Sequence, residues 1–220
     1  MLKNPIHILV LGQSNVASHG EPPGECSFGR VFHAGRFLPL RDPVLGGTGE
    51  GGSVWTRFAV KLQDAELVDD LIISLRAVGG TAMQDWSTSG KCFSALRADL
   101  PEMQTCPVAP THVVFHQGER DNFLETAEAD YVAQFDPLYD LVRQAFPQIS
   151  WIFCQATYRM GVISHTIRQA QARIIAKYPD IHAGPDTDAW GDEFRIDGTH
   201  FNQKGLDAFA ESLLRSFVTL

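Results

Sequence analysis

The sequence predicts an α/β protein in three layers, with helices on both faces of a central parallel sheet of about five strands. Three observations carry this expectation. Five short runs rich in Val, Ile, Leu and Phe recur without clean alternation, as strands covered on both faces do. Segments of helical periodicity lie between them, which calls for right-handed crossovers and parallel strands. Glycine-rich or polar loops follow the apolar runs directly, where a doubly wound sheet gathers its ligand site.

Taken in order, the first strand falls at residues 7–11 and ends in Gly12-Gln13-Ser14-Asn15. Residues 20–52 are rich in Gly and Pro and too long for a simple connector, so a substrate-side loop is expected there. Ser53 is placed to cap a helix in which Trp55, Phe58, Ala59 and Leu62 share one face. The second strand is expected at 71–78, the third at 112–117, the fourth at 150–156 and the fifth at 181–183. Residues 125–146 are helical in pattern but interrupted by Pro137, which predicts two helices or one kinked one. Further helices are expected at 163–178 and 203–217, the last with Leu206, Phe209, Leu213 and Phe217 on one stripe. No internal repeat, low-complexity tract or linker divides the chain, so residues 1–220 read as one domain.

Bulk properties narrow the function. The formal net charge is −8 and the 18 basic residues are scattered, which argues against nucleic acid or an anionic membrane as partner. The apolar run near the N-terminus is too short and turns polar too soon for a signal peptide, and nothing approaches a membrane span. A cytoplasmic protein is expected, or a secreted one if a leader has been removed. Cys26, Cys92, Cys106 and Cys154 lack CxxC spacing and read as free thiols. The 8 histidines include no HExxH and no His-x-His pair, so neither a metal nor any other cofactor is expected.

Four segments carry chemistry, and each has a bland reading beside the functional one. Ser14, at the carboxyl edge of the sheet, suits a nucleophile if a following helix aims free N–H groups at it; it also suits a simple helix cap. The α/β-hydrolase elbow is absent, because Val16 stands where Gly-x-Ser-x-Gly needs its second glycine. Asp197-Gly198-Thr199-His200 places a carboxylate three residues before an imidazole, across a turn. That pairing can orient a histidine that takes the proton of a serine hydroxyl, or be an Asx-turn with an exposed histidine. His116-Gln117-Gly118-Glu119 leaves the third strand with a side-chain amide able to donate to an oxyanion, or merely caps the next helix. Gly79 and Gly80 leave the second strand and can free a backbone N–H for the same purpose, or form a tight turn. Each segment is weak alone; all four gather at one edge of the predicted sheet.

In this order, GQSN (12–15), GGTxxxxW (79–86), HQGE (116–119) and DGTH (197–200) resemble blocks I, II, III and V of the SGNH hydrolases. The Gln-Gly-Glu form of the third block is similar to that of carbohydrate esterase family 6 and the sialate O-acetylesterase-like group. Ile167-Arg168-Gln169-Ala170-Gln171 resembles a helical segment of the same group. The resemblance implies a flavodoxin-like SGNH fold and a serine esterase that removes O-acetyl groups from carbohydrates through an acetyl-serine intermediate. It implies Ser14 as nucleophile, His200 as base and Asp197 as its orienting partner. The oxyanion hole would be made by the N–H groups of Ser14 and Gly79 with the Gln117 side chain, Gly80 being the alternative glycine. Glu119 would orient its loop or help to position His200. His19 and residues 28–52 match nothing in that pattern.

The expected partner is an acetylated sugar or oligosaccharide; the oligomeric state stays open. Trp86 and Trp190 suit stacking on a sugar face and suit core packing equally. Two rival readings remain: acyl transfer to an alcohol other than water, and a non-catalytic flavodoxin-like binding module. Against the module, the Ser14 loop lacks Lys, Arg and a GxxxxGK[ST] pattern, and the Asp197/His200 pair would go unexplained.

Overall fold

A computed structural model describes residues 5–219. Its sheet holds seven strands: β1 (Ile6–Gly12), β2 (Glu25–His33), β3 (Arg36–Arg41), β4 (Leu71–Ala77), β5 (His112–His116), β6 (Ser150–Gln155) and β7 (Ile181–Asp186). Six helices accompany them: α1 (Val54–Asp64), α2 (Lys91–Met103), α3 (Glu119–Leu124), α4 (Glu128–Ala145), α5 (His165–Lys177) and α6 (Gln203–Val218). The strand order is β3-β2-β4-β1-β5-β6-β7, with β3 alone antiparallel to its neighbour. After β1 the chain builds the sheet on one side through β4, then crosses to the other through β5. That reversal makes a switch point at the carboxyl end of β1, where such sheets bind their ligands.

Every residue of β1 is buried, because both faces are covered. Ile8 and Val10 point into one core with Trp55 and Phe58 of α1 and Phe209, Leu213 and Phe217 of α6. Leu9 and Leu11 point into the other, with Leu96, Phe135, Ile167 and the aromatic rings of Phe115, Trp151 and Phe153. Phe58 is wholly buried and its ring centre lies 5.3 Å from that of Phe217, so truncating it to Ala costs about 3–5 kcal/mol. Trp86 is also core, 1% exposed, and unavailable to a sugar; Trp190 is partly buried and packs against Phe201 and Phe209.

Several expectations need correction. The 20–52 stretch is not a loop: β2 and β3 form a hairpin closed by Ala34 and Gly35, both at positive φ, and they extend the sheet beyond β4. The sheet therefore has seven strands rather than about five. Of the two readings of residues 125–146, the single helix is the one present: α4 runs through Pro137, with Tyr131, Phe135, Leu138, Tyr139 and Val142 buried along its length. Burial of that stripe outweighs the single hydrogen bond a proline removes. Helix α2 was not anticipated, although Cys92, Phe93, Leu96, Leu100 and Met103 mark its buried face at helical spacing. The Ser53 cap is present, its side chain accepting from Trp55 N–H. Among the described residues no helix is long and apolar enough to cross a membrane.

Candidate active site

The end of β1 is pinned where the site begins. Gly12 has φ +139, and a Cβ there would lie 2.0 Å from the His116 carbonyl oxygen, so no other residue lets β1 pass β5 this closely. Gln13 N–H then donates to that same carbonyl at 3.0 Å. Ser14 follows, 4% exposed, at the head of a single 3-10 turn, Ser14–Val16. The α-helix expected after it is absent, so no long helix dipole ends at the site.

Ser14 and His200 line the same cavity, about 460 Å³ in volume, together with Gln13, His19, Gly80 and Asp197. Asp197 organises the turn that delivers the histidine. Its Oδ1 accepts from Thr199 N–H at 2.9 Å and His200 N–H at 2.7 Å, and its Oδ2 accepts from His200 Nδ1 at 2.7 Å. A carboxylate only accepts, so Nδ1 carries the proton and Nε2 is left free. Burial works against the Asp197 charge, yet the His200 and Thr199 hydrogen bonds hold its carboxyl below the ordinary range.

A buried ring of hydrogen bonds joins the serine turn to the histidine turn. Asn15 Nδ2 donates to Glu119 Oε1 at 2.8 Å and to Thr199 O at 3.0 Å, and Asn15 Oδ1 accepts from Phe201 N–H at 3.3 Å. Arg195, also buried, donates to Thr199 O and to Thr187 O, between the rings of Tyr158 and Phe201. The Thr187 hydroxyl meets His116 Nε2 at 3.1 Å, and His116 Nδ1 lies 3.8 Å from Glu119 Oε1. That last contact is no ion pair at neutral pH, because burial pushes His116 down to about 3. Burial likewise lifts Glu119 to about 7, against the pull of its Asn15 hydrogen bond. Glu119, almost wholly buried at the cavity wall, thus positions Asn15.

The remaining sequence-derived residues divide. Gly79 and Gly80 both reach the cavity, but Gly79 N–H donates to Thr48 Oγ1 at 2.7 Å. Gly80 N–H has no partner among the described residues. Gln117 is not brought to the cavity. It is fully buried, and its Nε2 donates to Thr81 O at 3.1 Å and to Asp121. Gly118, at φ +152 and pressed against Ala156 O, turns the chain so that the Gln117 side chain faces inward.

Sequence reasoning missed several lining residues. The His19 ring stacks on His200 with centroids 5.2 Å apart, and its Nε2 meets Thr48 Oγ1 at 3.0 Å. Burial and the neighbouring His200 keep the His19 pKa below its ordinary value. Thr48 arrives on the return from the β2–β3 hairpin, and Arg159 on the loop after β6; neither carries a local signal. Asn15 was legible only as part of GQSN. Among the described residues no group of three or more His, Cys, Asp or Glu side chains is arranged to hold a metal ion.

Comparison with known proteins gives the family and the fold. The family model described as carbohydrate esterase, sialic acid-specific acetylesterase, matches residues 4–219. No protein of curated function matches the chain. Among solved structures, a protein from Arabidopsis thaliana superposes with a TM-score of 0.77 at 19% identity, covering 98% of each chain. NanS gives 0.68 at 14% identity, over 100% of this chain and 99% of that one. A carbohydrate esterase family 3 protein from Talaromyces cellulolyticus gives 0.61 at 15% identity, over 97% of each. Identities this low speak for the fold alone, and that fold is the SGNH hydrolase one.

Proposed function

Because the chain belongs to the sialic acid-specific acetylesterase family of carbohydrate esterases, and so to the carboxylic ester hydrolases that remove O-acetyl groups from sugars, we propose that Ser14, His200 and Asp197 perform this hydrolysis. The observation that carries the assignment is the Asp197 Oδ2 bond to His200 Nδ1, which leaves Nε2 as the only basic nitrogen of that ring, in a cavity shared with Ser14.

Ser14 Oγ attacks the acetyl carbonyl while His200 Nε2 takes its proton, since a hydroxyl is a poor nucleophile without a base. The charge that develops on the carbonyl oxygen is met by the N–H groups of Ser14 and Gly80. Gly79 N–H stays on Thr48, and Gln117 supports the loop from behind by holding Thr81 O. Collapse expels the sugar oxygen, which takes the proton back from His200. Water, deprotonated by His200, then attacks the acetyl-serine, and acetate leaves as Ser14 Oγ takes that proton from His200.

The test is acetate release from an O-acetylated sugar by wild type, Ser14→Ala and Asp197→Asn. Ser14→Ala should show no release. Asp197→Asn should fold normally and lose about 10⁴-fold in kcat, because the imidazole then adopts the wrong tautomer. Wild-type rates in a folded Ser14→Ala protein would end the assignment.

A further inference from the structure

We infer that His19 is a positioning residue for the catalytic base: its ring lies flat against His200 and holds that imidazole at the tilt its reaction with Ser14 requires. The inference rests on the Ser14 and His200 reading above and goes beyond it, because His19 lies outside the four motif segments and no step of the mechanism uses it.

The Asp197 carboxylate holds the His200 ring at one atom. Its Oδ2 accepts from Nδ1 at 2.7 Å, which leaves the ring free to tilt about that bond. Water also competes there, since the Asp197 side chain is 51% exposed and that of His200 25%. A flat neighbour supplies the restraint that one hydrogen bond cannot. The His19 and His200 rings lie 20° from parallel with centroids 5.2 Å apart, and no other ring lies against His200 among the described residues. Burial, with the neighbouring His200, keeps the His19 pKa below its ordinary value against the pull of Asp197, so near neutral pH the ring is uncharged. The imidazolium that forms on His200 as it takes the serine proton then meets an aromatic face rather than a second cation.

The chain builds a slot for this ring. Gly49, at φ +93, packs on one edge: a Cβ there would lie 2.7 Å from His19 Cδ2 and 2.2 Å from Ser18 O. Gly79 packs on another, where a Cβ would lie 3.0 Å from Nε2 and 3.1 Å from Cε1. Two positions without a side chain therefore admit the imidazole and leave it little freedom. The backbone beside it is tied down as well. Ser18 N–H donates to Thr48 O, Gly51 N–H donates to Ser18 O, and Gly20 and Gly52 exchange both their bonds. His19 Nε2 also meets Thr48 Oγ1 at 3.0 Å, and the same hydroxyl accepts from Gly79 N–H at 2.7 Å. That chain links the ring to the glycine loop that carries Gly80. Thr48 is exposed, so water replaces its bonds readily and the stack is the stronger restraint.

The experiment measures kcat and KM for acetate release from p-nitrophenyl acetate and from an O-acetylated sialic acid at neutral pH. Wild type is compared with His19→Ala, His19→Phe and Thr48→Val, with Tm as the check on folding. His200 acts in both acylation and deacylation, so whichever step limits turnover reports its position. His19→Ala should lower kcat by about 10–100-fold and leave KM within about twofold, because the base is displaced while the site still binds. His19→Phe restores a flat ring and should return kcat to within about fivefold of wild type. Thr48→Val breaks only the exposed link and should cost less than about fivefold. An unchanged kcat in a folded His19→Ala protein overturns the proposal, and so does a rise in KM alone, which would make His19 a substrate contact. A folded Phe variant as slow as His19→Ala overturns it too; should the larger ring not fold into the slot, the split between kcat and KM in His19→Ala decides. The Ser14 reading fails separately. Wild-type rates in folded Ser14→Ala would sink that chemistry, whereas inactive Ser14→Ala beside full-rate His19→Ala would sink the stack alone.

Discussion

Replacing Glu119 with Gln keeps the shape of the buried ring and removes its one carboxyl group. In the fold this carboxyl titrates near 7, against an ordinary 4.5, because burial penalises its charge. A carboxyl raised in this way favours the folded state fully below pH 4.5, and that contribution is lost as pH rises through 7. The interval corresponds to about 3 kcal/mol. Glu119→Gln should therefore gain on wild type by about 3 kcal/mol between pH 4.5 and 9. For a chain of this length that is a relative shift of about 6–12 °C in Tm. Thermal unfolding of both proteins across that range measures it, and taking the difference cancels every other titrating group. Turnover should fall less than about tenfold, since the amide oxygen still accepts from Asn15 as the carboxyl oxygen does. A stability difference that does not vary with pH would refute the buried, protonated carboxyl. A kcat loss of about 10³–10⁴ would refute a purely positioning role.

Two further outcomes follow from groups around the site. Gln117→Ala should cost about 1–3 kcal/mol, because Thr81 O and Asp121 lose a buried donor. Its kcat should fall less than tenfold, whereas an oxyanion donor would cost about 10²–10³ with stability intact, and that result would return Gln117 to the oxyanion hole. Burial holds His7 and His112 down at about 4 and His116 at about 3, so all three stay neutral in the fold while the unfolded chain protonates them below 6.5. Stability should fall with acid from pH 6.5, by about 1.4 kcal/mol per pH unit for each histidine, offset in part by Glu119. Urea midpoints at pH 7, 6 and 5 test this, and a flat profile contradicts it.

The inner strands were legible because burial on both faces writes an unbroken apolar run, as at Ile6–Gly12. The β2–β3 hairpin was not, since an edge ribbon with one half-covered face carries scattered apolar residues. Glycine and proline content masked the real signal, two such runs joined by Ala34-Gly35. In the site, Asp197 and His200 were readable because their contact is local, three residues apart. Gln117 misled for the converse reason: position at a strand end does not say which way a side chain faces, and here Gly118 decides it. Thr48 and Arg159 reach the cavity only through tertiary packing, to which short-range spacing is blind, whereas Arg120 directly follows the 116–119 segment.

The bond from Asn15 to Thr199 spans almost the whole length of the sequence. Synthesis runs from one end to the other, so the serine emerges with the first strand while its base waits for the turn ahead of α6. A growing chain can build most of its sheet and still be chemically inert. On the roles proposed for Ser14 and His200, esterase activity should therefore appear late and all at once.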